Sequence, residues 1–206
     1  MKEKVDVYKE YCAGCGLCHS AEAVQYEYQN GFFKPELHQN NFSFCEGVCP
    51  ASGNWLKDID PKKKWGKYIN ACVTWSSDPQ LRFSASSGGT ITVISEYLLN
   101  KKLVDEIIHT CVSKQSQIKT EYTKSKSVDE LRDKTGSRYT VSSPLIELLQ
   151  CISPEKKYAV VGKPCDILVL RRYLDAHQEL YKNIIYLISF FCAGGWAPPP
   201  PPPPPP

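Results

Sequence analysis

Three of the ten cysteines in this 206-residue chain share one short loop, Cys12-Ala13-Gly14-Cys15-Gly16-Leu17-Cys18. Two-residue spacers let successive thiolates curl about one inorganic cube, and the glycines permit the tight turns and close backbone approach that this requires. The chemistry implied is electron transfer at a [4Fe–4S] cluster. A bacterial-type ferredoxin loop would place the next cysteine four positions after Cys18, but Glu22 stands there. The fourth ligand must come from farther on, from Cys45 or Cys49. Cys49 is preferred because Pro50 follows it, a pairing common at the distal cluster ligand. Structural zinc is the competing chemistry, although zinc usually pairs its cysteines in two separate knuckles.

The rest of the composition bounds the setting. Apolar residues make up 42% of the chain and charged residues 23%, ordinary for a soluble globular protein. A formal charge of +3, spread along the chain, gives no argument for nucleic acid or a membrane surface. Lys62-Lys63-Lys64 and Lys156-Lys157 read as solvated edges. No apolar run long enough to span a bilayer is present, and no signal peptide follows Met1-Lys2-Glu3-Lys4. The expected compartment is the cytoplasm, where cysteines serve metals or catalysis rather than disulfides.

Residues 1–60 are rich in cysteine, aromatic and turn residues and read as a small ferredoxin-like module held by its cofactor. Residues 61–195 alternate helical and strand patterns. Thr90 to Lys101 carries apolar residues at helical spacing, and Val104 to Val112 is a β-branched strand. A helix is expected after Ser127, with Glu130 at capping-box spacing, and another over Leu145 to Cys151 after Pro144. Tyr158 to Gly162, Asp166 to Asp175 and Ile184 to Cys192 read as strand, helix, strand, a crossover unit with parallel strands. The fold class expected is α/β: the small module, then a mostly parallel sheet that is incomplete at its C-terminal end. Residues 196–206 end in proline from Pro198 onward, which can form only an extended helix without donors. That tail is set aside as unstructured or as a truncated or frame-shifted coding end.

Several stretches together resemble the coenzyme F420 hydrogenase/dehydrogenase beta-subunit family. They are Ala85-Ser86-Ser87-Gly88-Gly89-Thr90, Gly136-Ser137-Arg138-Tyr139 with Ser143-Pro144, Val161-Gly162-Lys163-Pro164-Cys165, and Phe191-Cys192-Ala193-Gly194. Each is weak alone; four in order beside a ferredoxin-like loop are specific. The resemblance runs from about Val7 to Gly194 and implies an iron–sulfur flavoprotein oxidoreductase that carries FAD. Ser86-Ser87-Gly88-Gly89 before a helix offers N–H groups to an anionic pyrophosphate, although read alone it is an ordinary capped helix start. Gly136-Ser137-Arg138-Tyr139 can supply a guanidinium to phosphate and an aromatic face to a ring, or can be a plain surface turn. The family usually has lysine where Arg138 stands. It often has an amide residue where Asp166 stands, and Asp166 is read as a helix cap.

The resemblance also implies that Cys165 and Cys192, each after a parallel strand, are ligands of a second cluster. A later Cys-x-x-Cys would complete it, and the chain runs into prolines instead. Cys72, Cys111 and Cys151 read as core thiols, and His19, beside Cys18, as a solvated residue or a tuner of the cluster. The leading function is electron relay between a ferredoxin-type or other redox protein, the cluster and FAD, acting on coenzyme F420 or another small organic substrate. Its alternatives are a non-enzymatic ferredoxin-like carrier, a zinc-stabilised interaction module and an inactive fragment.

Overall fold

The computed structural model describes residues 8, 10–29, 32–36, 43–53, 68–115, 119–192 and 194. The proline run, Lys62–Lys64 and His38 lie outside them. Three short elements follow the cysteine loop: helix α1 (Leu17–Ser20), and strands β1 (Tyr26–Gln29) and β2 (Phe32–Pro35), which pair antiparallel. Helix α2 (Ser43–Val48) comes next. Helices α3 (Pro79–Ser84) and α4 (Thr90–Asn100) precede strands β3 (Glu106–Val112) and β4 (Thr120–Ser125). Then come α5 (Val128–Arg132), α6 (Leu148–Cys151), β5 (Tyr158–Gly162), α7 (Pro164–Ala176) and β6 (Ile184–Ser189).

The larger sheet has strand order β4-β3-β5-β6. β3 with β5 and β5 with β6 are parallel, whereas β4 returns antiparallel beside β3. Its two central strands are buried along most of their length, as parallel strands covered on both faces must be. One face packs Ile108, Tyr158 and Val160 against Leu170 and Leu174 of α7. The other packs Ile107 and Ala159 against Leu98 of α4 and Leu131 of α5. The α/β class and the mostly parallel sheet are as the sequence predicts.

Local signals act largely as expected. The Ser127 hydroxyl accepts the Glu130 N–H at 3.2 Å and caps α5. Asp166 reaches back from the first turn of α7 to accept the Lys163 N–H at 2.8 Å, and Pro164 occupies the first helical position. Two expectations need correction. Leu145 to Cys151 is not one helix: residues 144–147 form turns, and only Leu148–Cys151 is helical. The Leu145 N–H donates to the Cys15 carbonyl at 3.0 Å, which docks the cysteine loop on this turn. Cys72 is exposed, not a core thiol, whereas Cys111 is buried and Cys151 half-buried.

His109 is buried in β3, with Nε2 2.8 Å from the Ser125 hydroxyl and Nδ1 3.2 Å from the Thr110 carbonyl oxygen. Burial, joined by the charge of Lys134, pushes its pKa down to about 4. The unfolded chain then binds a proton on this imidazole that the folded chain does not. Its contribution is fully present above the ordinary histidine pKa and is lost as pH falls from about 6.5 toward 4. Denaturant unfolding across that window should show a loss on the order of 3 kcal/mol. His109→Gln should flatten that slope.

Candidate metal centre and cofactor face

The backbone of the cysteine loop turns through left-handed conformations at Gly14, φ 68°, and Gly16, φ 89°. Cys12, Cys15 and Cys18 thereby line one cavity, and Cys49 lines it from just beyond α2. Tyr26, Phe44 and Val48 contribute to its walls. The Gly14 N–H points at the Cys12 sulfur, 3.4 Å away, and the Tyr26 hydroxyl lies 3.8 Å from that sulfur and 3.4 Å from the Cys18 sulfur. The side chain of Cys45, the alternative fourth ligand, lies outside the described residues.

The loop is fastened to the α/β core. The Ser143 hydroxyl donates to the Gly14 carbonyl at 2.6 Å, while Ser20 and Gln150 exchange contacts at 2.9 and 2.7 Å. Leu17 is fully buried in the same core as Leu145, Leu148 and Leu170. Gly16 has no room for a side chain: a Cβ there would sit 2.7 Å from the Ile146 Cα. Gly16→Ala combines that clash with a strained left-handed backbone, and should lower unfolding stability by about 2 kcal/mol or more in denaturant titration.

Burial raises the pKa of Cys12 and holds that of Cys15 well above the ordinary thiol value, with the Asp166 charge adding to the effect at Cys15. Burial lifts Cys49 to about 11. The bare site therefore holds neutral thiols, and a metal that binds as thiolate must displace their protons.

Cys165 reaches the same cavity from the first turn of α7. Burial, with Asp166 beside it, raises its pKa to about 11. Cys192 is exposed and is not among the cavity-lining residues. The two thiols nonetheless follow neighbouring strand ends, since Gly162 of β5 pairs with Ser189 of β6. That is the sheet edge at which open α/β folds build their sites.

The two loops expected to hold a flavin meet. The Ser137 N–H donates to the Ser86 hydroxyl at 2.9 Å. Ser87, Gly88 and Gly89 are successively left-handed, at φ 50°, 68° and 77°, and Gly89 caps α4. Thr90 is turned inward, its hydroxyl donating to the Thr74 carbonyl oxygen at 3.1 Å. Arg138 folds back onto the carbonyls of Ser137 and Thr135, at 3.2 and 3.1 Å, whereas Tyr139 is exposed. His19, considered as a cluster tuner, instead sets its Nδ1 3.3 Å from the Val24 carbonyl oxygen.

Sequence reasoning missed Tyr26 at the sulfurs, Ser143 as an anchor and Trp75 beneath the glycine loop. A Cβ on Gly88 would meet the Trp75 Cβ at 3.0 Å, so this tryptophan sets how closely the loop can pack. No local signal marks the first two residues, whose roles arise only from tertiary contact.

Residues 71–150 match the N-terminal region, and residues 155–198 the C-terminal region, of the coenzyme F420 hydrogenase/dehydrogenase beta subunit. The chain belongs to that family. It is 32% identical over 130 residues to the F420-dependent formate dehydrogenase subunit beta of Methanocaldococcus jannaschii, covering 62% of this chain and 32% of that protein. An uncharacterized protein of the same archaeon is 26% identical over 179 residues, covering 84% of this chain and 48% of its own length. The chain thus spans about a third of the first relative and about half of the second. The fold also matches a chain in a xenon-derivatised structure of the F420-reducing [NiFe] hydrogenase complex from Methanosarcina barkeri. The TM-score is 0.56 at 22% identity, over 65% of this chain and 46% of that one. Among the described residues no helix is long and apolar enough to cross a membrane.

Proposed function

We propose that this family member is the electron-handling part of an iron–sulfur flavoprotein oxidoreductase, with Cys12, Cys15, Cys18 and Cys49 holding a [4Fe–4S] cluster. One observation carries the reading: Cys12, Cys15, Cys18 and Cys49, from two segments at the N-terminal end, line a single cavity, with Cys165 of α7 as a fifth thiol on its wall. Three cysteines on one short loop suit a cube better than a single zinc, whose cysteines usually come as two separate knuckles.

The second half of the proposal is that the joined Ser86–Thr90 and Gly136–Tyr139 loops take FAD. The left-handed run at Ser87–Gly89 leaves backbone N–H groups at the start of an eleven-residue helix, favourable for pyrophosphate. Exposed Tyr139 offers an aromatic face, and Arg138 would have to release Ser137 and Thr135 before it could reach a phosphate. From Ser137 to the cluster-loop anchor Ser143 the chain can span at most about 20 Å, which bounds the separation of these two anchors. A cluster supplies single electrons, and a flavin gathers them into a two-electron or hydride step.

The electron donor would be a ferredoxin-type or other redox protein in the cytoplasm, and the acceptor coenzyme F420 or another small organic molecule. Cys165 and Cys192 would serve a second cluster only together with two further cysteines, so the chain on its own is expected to carry the first cluster alone. Equilibrium titration with FAD, read by quenching of flavin fluorescence, tests the flavoprotein half. Saturable binding that weakens in Gly88→Val is the expected result. A cluster-bearing protein with no affinity for flavin would select the electron carrier instead.

A further inference from the structure

We propose that Tyr26 is a positioning residue for the cluster, its single phenol O–H directed at the Cys18 sulfur and shared with that of Cys12, which raises the reduction potential. The inference rests on the cluster reading given above. Tyr26 opens β1 opposite Pro35 of β2, and both residues line the cavity, so the hairpin carries the phenol to the sulfurs. Its hydroxyl oxygen lies 3.4 Å from the Cys18 sulfur and 3.8 Å from the Cys12 sulfur. The ring is held edge-on against His19, with centroids 6.0 Å apart and planes at 67°. His19 is tied to the Val24 carbonyl oxygen at 3.3 Å.

The direction of donation follows from proton bookkeeping. With neutral thiols, the Cys18 S–H donates to the phenol oxygen. Ligation of iron takes the protons from the cysteines and leaves sulfurs that can only accept. The phenol keeps its proton, because the ordinary tyrosine pKa of about 10 lies far above the pH of the measurement. The O–H then turns toward the sulfurs as a charge-assisted donor. One added electron increases the negative charge on the cluster and its ligands. A donor in a partly dry cavity therefore stabilises the reduced state more than the oxidised state. The Gly14 N–H at the Cys12 sulfur acts in the same sense, so Tyr26 adds to a backbone donor and extends the effect to Cys18.

The test is a spectroelectrochemical titration of the anaerobically reconstituted full chain at pH 6.5, comparing the parent with Tyr26→Phe. Iron and sulfide contents are measured on both. Tyr26→Phe keeps the ring and should keep the cluster, while its reduction constant falls roughly three- to tenfold, about 28 to 59 mV for a one-electron couple. An unchanged potential in a fully loaded Tyr26→Phe protein overturns the role of Tyr26 and leaves the cluster reading intact. A parent chain that takes up no iron and sulfide overturns both. Should Tyr26→Phe lose its cluster, site-specific 3-fluorotyrosine at position 26 decides the matter. That more acidic donor must raise the potential, and an unchanged value refutes the proposal.

Discussion

Cys49→Ser will lose its cluster, with bound iron and sulfide falling about tenfold or more relative to the parent chain after identical anaerobic reconstitution. Cys12→Ser, Cys15→Ser and Cys18→Ser should behave alike, because each removes one of the thiols around the same cavity. Cys192→Ser should retain full iron and sulfide, since that side chain is exposed and outside the cavity. Cys45→Ser is the discriminating control. If Cys45→Ser loses the cluster while Cys49→Ser keeps it, the fourth ligand has been assigned to the wrong cysteine. Circular dichroism on each apo-protein separates ligand loss from unfolding. Serine is close to isosteric with cysteine, so the secondary structure should persist.

Leu17→Ala is expected to have the largest effect on stability, about 2 to 5 kcal/mol in denaturant unfolding. Leu17 lies between two ligand-bearing turns, yet it is fully buried among Leu145, Leu148 and Leu170. Its removal leaves a cavity where the cysteine loop joins the sheet domain, so the effect should reach the cluster as well. Reconstituted Leu17→Ala should release iron to a chelator faster than the parent. A stability loss below about 1 kcal/mol would mean that the loop is held by its cofactor alone, as a small appended module would be.

That contrast shows what the sequence made legible. The Cys-x-x-Cys-x-x-Cys spacing, the Ser127 and Asp166 caps and the buried strand at Tyr158–Gly162 are local signals that the structure carries, whereas the strand expected over Ile184 to Cys192 stops at Ser189 and buries only Ile184 fully. The family resemblance marked the two flavin loops one by one, and the contact of Ser137 with Ser86 across 51 positions was not legible in either. Leu17 in the core, Ser143 on Gly14 and Tyr26 at the sulfurs were not legible at all. Each depends on where a distant backbone segment arrives, which residue type and spacing do not encode. The turn at residues 144–147 is hidden in the same way: a proline and a serine predict a helix start, and neither encodes the contact of the Leu145 N–H with the Cys15 carbonyl.

The central claim is that four cysteines hold one cluster, and quantitative iron and sulfide analysis of the reconstituted chain tests it most directly. Four irons and four sulfides per chain, with a reducible paramagnetic centre on one-electron reduction, are the result predicted by the cavity and its thiols. Stoichiometric zinc without sulfide would contradict it.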